Sequence, residues 1–225
     1  GVEAGAKHVR HEQHHAIAAG LDHRRHAILV HRAARRLAER AFQRSLQLEP
    51  SKDAYSNVAT TQFLAGRFAD AVASYERAVE LGPHDQTVRS NLADALWQLP
   101  DRRADAIATY RIAIDMAEAE LAATPDDPTL SAQLGHYYGR VGDAARSKAN
   151  LDRAMVAGAN LLYVQYYRSV AALDRGDRDV ALDALAAMVR LGYPTKLLRS
   201  APEFRNLIQD PEFKKIVGED QTVSR

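Results

Sequence analysis

The feature that most constrains this chain is a short motif of small and aromatic residues that recurs with a period of about 34 residues. The motif places a tyrosine between two alanines at fixed spacing, and two of its copies are Ala71–Ala78 and Ala106–Ala113. A period of this length is typical of repeat proteins, whose units each bury an apolar face only by stacking on their neighbours. The sequence therefore predicts a stack of similar units.

The composition indicates that these units are helical. Alanine, leucine, arginine and glutamate dominate, and the 225 residues include only 12 glycines and 8 prolines, which argues against a sheet-based enzyme fold. The absence of cysteine excludes a disulfide framework, a thiol nucleophile and a zinc ribbon. A net charge of +1 gives no reason to expect nucleic acid or an acidic membrane as a partner. No apolar run approaches the ~20 residues of a membrane span.

Further positions of the motif recur in phase with the alanines and the tyrosine. In the first complete unit they include Tyr55, Gly66, Phe68 and the closing Pro83. This pattern closely resembles the tetratricopeptide repeat. The resemblance implies two antiparallel helices in each unit, with small residues where the helices cross. We therefore predict an all-α, right-handed superhelical solenoid of antiparallel helix pairs, with extra N-terminal helices and a C-terminal helical cap.

The register of the motif predicts how the chain is divided. Four units are expected within a repeat region of 48–194, and their ranges are 52–85, 86–127, 128–161 and 162–194. The flanking regions are expected to be basic, His-rich N-terminal helices that include a degenerate half-repeat (1–47), a C-terminal cap (195–217) and a frayed tail (218–225). The cap would cover the open apolar edge of the last unit.

The second unit departs from the family length. Helix-forming residues continue from Ile112 to Ala123, so the second helix of this unit is predicted to run about two turns past the family length. We expect these extra turns to displace the third unit outward and to open the groove between Trp97 and His136.

The resemblance also implies where a partner binds. In this family the first helix of each unit lines a concave groove, so the matching positions are the candidate binding residues. They are Asn57, Thr60, Phe63, Asn91, Asp94, Trp97, Gln98, Gln133, His136, Arg140, Tyr163, Tyr166 and Tyr167, with Leu64 and Asp174 at further groove positions. Amides beside aromatic rings suit an extended peptide, and the single tryptophan is the expected anchor. The alternative is that some of these aromatic rings pack against neighbouring helices.

The N-terminal segment carries a different chemical pattern. Seven of the nine histidines lie in the first 31 residues, and residues 1–50 hold nine basic against five acidic side chains, an excess of four positive charges. Within this segment His11, Glu12 and His15 satisfy the zinc-hydrolase pattern H-E-x-x-H. A chance match within a histidine cluster and a solvated helix face are the simpler interpretations. A weak metal site at His11 and His15 and an N-terminal zinc hydrolase are kept as alternatives.

The predicted function is a protein–protein interaction scaffold that binds a peptide or partner protein in the groove, without catalysis and without a cofactor. The carboxylate clamp of the family's chaperone-tail adaptors is excluded, because only Asn91 among its positions matches. An alternative is a regulatory module of a larger bacterial signalling enzyme, since the long helix and the C-terminal end resemble the repeat region of receptor-type serine/threonine kinases. Oligomeric state and compartment, cytoplasmic or periplasmic, are not predicted.

Overall fold

The computed structural model describes residues 41–44 and 46–218, and every secondary-structure element within them is helical. This confirms the all-α prediction. After a helical stretch over 41–44 and 46–48, the helices are α1 Lys52–Leu64, α2 Phe68–Leu81, α3 Gln86–Trp97, α4 Arg103–Ala123, α5 Pro128–Arg140, α6 Ala144–Gly158, α7 Leu162–Arg175, α8 Arg178–Arg190, α9 Thr195–Ser200 and α10 Pro211–Val217. Two 3₁₀ segments, Pro100–Arg102 and Pro202–Leu207, precede α4 and α10. The predictions for residues 1–40 and 219–225 lie outside the described residues.

Local sequence explains where the helices begin and turn. Asp127 caps α5 by accepting hydrogen bonds from the backbone N–H groups of Thr129 and Leu130 at 2.8 and 3.0 Å, and Pro128 takes the first helical position. The turns that close two of the pairs, after α5 and α7, contain Gly142 and Gly176 at φ of 85° and 80°. Glycine is preferred there because a Cβ would strain a left-handed backbone.

Helix α4 is unusually long, as the run of helix formers past Ile112 predicted. It extends for 21 residues and ends at Ala123. In its additional turns, Ala117 and Leu121 are buried in the same apolar cluster as Leu130 of α5. The extra turns are therefore part of the packed interior.

Apart from its repeat units, the chain divides into two compact parts, an N-terminal and a C-terminal one, with the boundary after Asn91 within α3. In the N-terminal part α1 packs on α2, and Phe63 and Tyr75 are buried. In the C-terminal part α5 packs against α4, α6 and α7, and α7 packs against α8. From α4 to α8, helix pairs therefore pack against one another, the arrangement that stabilises a repeat stack.

The C-terminal segment packs against the last helix pair. Phe204, Phe213 and Leu198 lie in one buried cluster with Leu185 and Met188 of α8. Covering these apolar side chains removes them from water at the end of the stack.

An ion pair joins the start of α8 to the cap. Arg178 donates to both carboxylate oxygens of Asp210, at 2.6 and 2.8 Å, and this Arg178 hydrogen bond lowers the pKa of Asp210. Such two-point pairing fixes the relative orientation of its partners. None of the described helices is both long and apolar enough to cross a membrane.

Candidate functional site

Side chains from three successive first helices, those of the second, third and fourth repeat units, meet in the C-terminal part. We call the group the first-helix cluster; its members are Asp94 and Trp97 of α3, His136 and Arg140 of α5, Tyr167 and Asp174 of α7, and Tyr110 of α4. Six of these seven lie at groove positions carried over from the repeat register. The structure brings them into direct contact because α5 lies against α7 and α4.

The centre of the cluster is a buried hydrogen-bonded chain. The hydroxyl of Tyr110 donates to Asp94 Oδ1 at 2.6 Å, and Nε2 of His136 lies 3.3 Å from the same oxygen. Tyr110 is 0% exposed, and burial together with the Asp94 carboxylate raises its pKa well above the usual value. The phenol therefore stays protonated and acts as a hydrogen-bond donor at physiological pH, so it does not supply a base.

A second charged pair lies beside this chain. Arg140 Nη1 donates to Asp174 Oδ1 at 2.8 Å, and Nδ1 of His136 is 4.0 Å from the other carboxylate oxygen. Desolvation raises the pKa of Asp174 despite the opposing effect of Arg140. Burial alone would lower the pKa of Arg140, but neighbouring groups that include Asp174 and Asp94 outweigh it and the pKa is raised. Arg140 therefore remains a cation within a largely buried surface.

The indole ring of Trp97 contacts two cations. The guanidinium carbon of Arg140 is 4.5 Å from the ring centroid, and that of Arg103 is 3.7 Å from it. Both arrangements are cation–π contacts, which stabilise by about 0.5–2 kcal/mol depending on desolvation. Trp97 is half-buried, so it is more constrained than the open anchor that the sequence predicts.

The aromatic part of the cluster continues onto α7 and reaches the cap. The ring of Tyr167 lies 5.6 Å from that of His136, and the hydroxyl of Tyr166 donates to Glu203 at 3.1 Å. The ring of Phe204 lies 6.2 Å from that of Tyr166. The cap segment therefore covers Tyr166, which the sequence analysis assigned to an open groove.

The predicted groove residues differ in exposure. Those that are buried are Thr60, Phe63, Asn91, Asp94, Gln133, His136, Arg140, Tyr166 and Tyr167. Those that are half-buried are Asn57, Leu64, Trp97, Gln98 and Tyr163. In the first unit, Thr60 shares a 2.9 Å hydrogen bond with Tyr75. Many of these side chains therefore contact other helices of the chain, which is the alternative that the sequence analysis kept open.

The expected opening between Trp97 and His136 is wrong. The ring of Tyr110 packs against both, with its centroid 6.2 Å from that of Trp97 and 5.8 Å from that of His136. The extra turns of α4 lie at the other end of that helix from Tyr110, where they pack on α5. They lengthen the contact with α5 and leave the cluster closed.

Sequence reasoning missed three contributors to this surface: Arg103, Tyr110 and Glu203. Two come from α4, which the family rule places outside the groove, and the third comes from the cap. The available signal for Tyr110 was its repeat position, because Tyr75 occupies the same position and also reaches a first-helix residue, Thr60.

Metal binding finds no support in the part of the chain that the structure describes. No group of three or more histidine, aspartate or glutamate side chains there is arranged to hold a metal ion. The weak candidates His11 and His15 lie outside the described residues.

Stacked helix pairs with aligned small and aromatic positions define this chain as a helical repeat protein. The family model for the tetratricopeptide repeat matches residues 31–85 and 59–128. The two matches together span residues 31–128, and over that part the chain is similar to the tetratricopeptide repeat family. No curated protein matches it.

A solved structure supports the fold, and further repeat proteins are similar to this chain. The thermophilic tetratricopeptide repeat protein TTC0263 of Thermus thermophilus is 20% identical with a TM-score of 0.52, and the match covers 74% of this chain and 89% of that protein. YrrB, described as a tetratricopeptide repeat protein with an unusual peptide-binding site, is 19% identical with a TM-score of 0.42, covering 80% of this chain and 90% of its own. A tetratricopeptide repeat protein from Parabacteroides merdae is 15% identical with a TM-score of 0.42, and the match covers 75% of this chain and 65% of that protein. The relation to receptor-type kinases stays a prediction.

Proposed function

We propose that this chain is a protein-interaction scaffold without catalysis of its own, and that a peptide or partner protein binds on the first-helix cluster. The tetratricopeptide repeat fold supports the scaffold role. The position of the cluster supports the choice of surface, because its residues occupy the face that the family resemblance assigns to partner binding.

The observation that carries this proposal is the concentration of charged groups in a largely buried aromatic surface. Asp94 and Arg140 are each 7% exposed. Removing charges from water is costly, and apolar side chains of similar volume often give equal or greater stability. Stability alone therefore does not explain these residues, whereas recognition of a polar partner does.

The same geometry favours binding over catalysis. Tyr110 is fully buried and stays protonated, while His136 is enclosed by the rings of Tyr110, Tyr137 and Tyr167. A general base must come within hydrogen-bond distance of its substrate, and these groups already contact one another. The cluster is therefore suited to present a fixed surface.

Affinity capture tests the proposal. Immobilised wild-type chain is compared with Trp97→Ala and with Ile112→Ala, whose side chain is 46% exposed on α4. We expect Trp97→Ala to weaken retention of a partner by about 2 kcal/mol or more, as at interface hot spots, and Ile112→Ala to retain it. Because Trp97 is half-buried, circular dichroism and denaturant midpoints are measured for each variant. Equal retention by a folded Trp97→Ala variant would reject this surface.

A further inference from the structure

Within the described structure the first-helix cluster holds buried polar atoms without partners, and one of them, Nε of Arg140, is a hydrogen-bond donor. Asp94 accepts from Tyr110 and His136, and Asp174 accepts from Arg140. Among the described residues, Nε of Arg140 and Nδ1 of His136 are buried without a hydrogen-bond partner. Buried polar atoms without partners are uncommon in native proteins and call for an explanation.

Arg103 adds an accessible cation to this donor. Its guanidinium group stacks 3.7 Å from the Trp97 ring centroid and makes no ion pair within the described part of the chain. The side chain is exposed at the start of α4. Stacking holds the planar group in place while its N–H edge stays available, which is the geometry in which arginine binds a carboxylate through two hydrogen bonds.

The chain itself shows an acidic and aromatic segment seated on the neighbouring part of this face. Glu203 accepts a hydrogen bond from Tyr166 at 3.1 Å, and Phe204 is 0% exposed with its ring beside that of Tyr166. The Glu203 carboxylate is near enough to contribute to the raised pKa of Arg140. First-helix aromatic residues of this chain therefore accommodate a glutamate next to an aromatic residue.

From the unpaired Nε donor of Arg140, the stacked Arg103 and the seated Glu203, we propose that the partner is an acidic peptide segment, whose internal aspartate or glutamate side chain binds Arg103 at the edge of Trp97. This inference rests on the proposed function and names its partner class. An internal carboxylate differs from the C-terminal carboxylate recognised by chaperone-tail adaptors, whose clamp positions are mostly replaced in this sequence.

A peptide titration tests the proposal, since Trp97 is the only tryptophan of the chain and its fluorescence reports directly on the site. The probes are N-acetylated, C-terminally amidated decapeptides that contain Pro-Glu-Phe flanked by glutamates, and matched peptides with glutamine at each glutamate position. We expect the acidic peptides to change Trp97 fluorescence with an affinity that falls as salt rises. The glutamine peptides are expected to bind at least tenfold more weakly.

Matched variants assign the effect to Arg103. Arg103→Gln is expected to lose at least tenfold in affinity for the acidic peptides, whereas Arg111→Gln, an exposed arginine of the same helix, keeps wild-type affinity. Equal binding of acidic and glutamine peptides with a Trp97 response would overturn the inference and leave the scaffold proposal standing. No Trp97 response to any peptide, with capture of a partner insensitive to Trp97→Ala, would reject both. Binding only by peptides with a free C-terminal carboxylate would also overturn the inference.

Discussion

The tyrosines of two repeats show how one residue changes the character of a unit. Tyr75 and Tyr110 occupy the same repeat position, and each hydroxyl reaches the corresponding residue of the first helix. In the first complete unit that residue is Thr60, which is neutral, and in the next it is Asp94, which carries charge. The same tyrosine geometry therefore supports a neutral hydrogen bond in one unit and a charge-assisted bond in the other.

This difference predicts the cost of removing each hydroxyl. Tyr110→Phe leaves the buried Asp94 short of a donor and is expected to lower the free energy of unfolding by about 1.5–3 kcal/mol. Tyr75→Phe, the matched control, is expected to cost about 0.5–1.5 kcal/mol. Urea unfolding measures both values. A larger loss for Tyr75→Phe than for Tyr110→Phe would contradict the charge-assisted interpretation.

The raised pKa of Tyr110 predicts an alkaline effect. The unfolded chain ionises this tyrosine near the ordinary pKa of 10.0, whereas the folded chain keeps it protonated to a pH well above that value. The stability that Tyr110 contributes is therefore present below pH 10 and is lost as pH rises above it. In unfolding experiments between about pH 9 and 11.5, Tyr110→Phe should lose stability less steeply than wild type. Identical slopes for the two proteins would contradict this prediction.

Individual residues also show how far the sequence predicts the site. The repeat register identified Asp94, Trp97, His136 and Arg140 as occupants of one face, because the period fixes which positions of each first helix align. It did not predict that these residues contact each other, since that depends on side-chain size and charge across helices. Arg103 stacks on Trp97 from the start of another helix, a contact that no periodic pattern encodes.

At the scale of elements, the extra length of α4 has a structural role that mutation can measure. Leu121 is 8% exposed and lies in the cluster with Leu130, whereas Ile112 on the same helix is 46% exposed. Leu121→Ala is expected to cost about 2–3 kcal/mol of unfolding free energy, and Ile112→Ala less than about 0.5 kcal/mol. Chemical denaturation compares them. Equal costs would mean that the last turns of α4 do not pack as described.

The cap depends on Asp210 at two points. Its carboxylate pairs with Arg178 and also accepts hydrogen bonds from the backbone N–H groups of Glu212 and Phe213 at the start of α10. Asp210→Ala should therefore speed hydrogen exchange in α10 while leaving α5 unchanged. Asp179→Ala removes another partner of Arg178, one whose side chain is 92% exposed, and should have little effect. Unchanged exchange in α10 of Asp210→Ala would contradict this role.

The elements themselves were largely predictable because local signals agree with the repeat register. Asp127 and Pro128 specify the start of α5, and continued helix formers specify the end of α4 near Ala123. The failed expectation concerned packing, because a run of helix formers does not indicate which neighbour the added turns will contact. Since they lie on α5 and Tyr110 fills the space beside His136, the extension does not separate Trp97 from His136.

At the scale of the whole molecule, repeat architecture separates stability from recognition. Small and apolar residues at the crossings of helices build the stack, whereas the less buried first-helix positions can vary with less effect on it. This is why the fold could be predicted from the sequence while the partner could not. In the C-terminal part of the chain, the first-helix cluster adds charge and a stacked tryptophan to that shared framework.

Site-specific photo-cross-linking tests the central claim, that a partner binds on the first-helix cluster, most directly. A benzophenone amino acid is placed at position 98, where the half-buried Gln98 follows Trp97, and separately at position 111 on α4. With the partner recovered by capture, irradiation should give a covalent product from position 98 and none from position 111, with both variants folded as wild type. Cross-linking from position 111 alone would contradict the assignment of this surface.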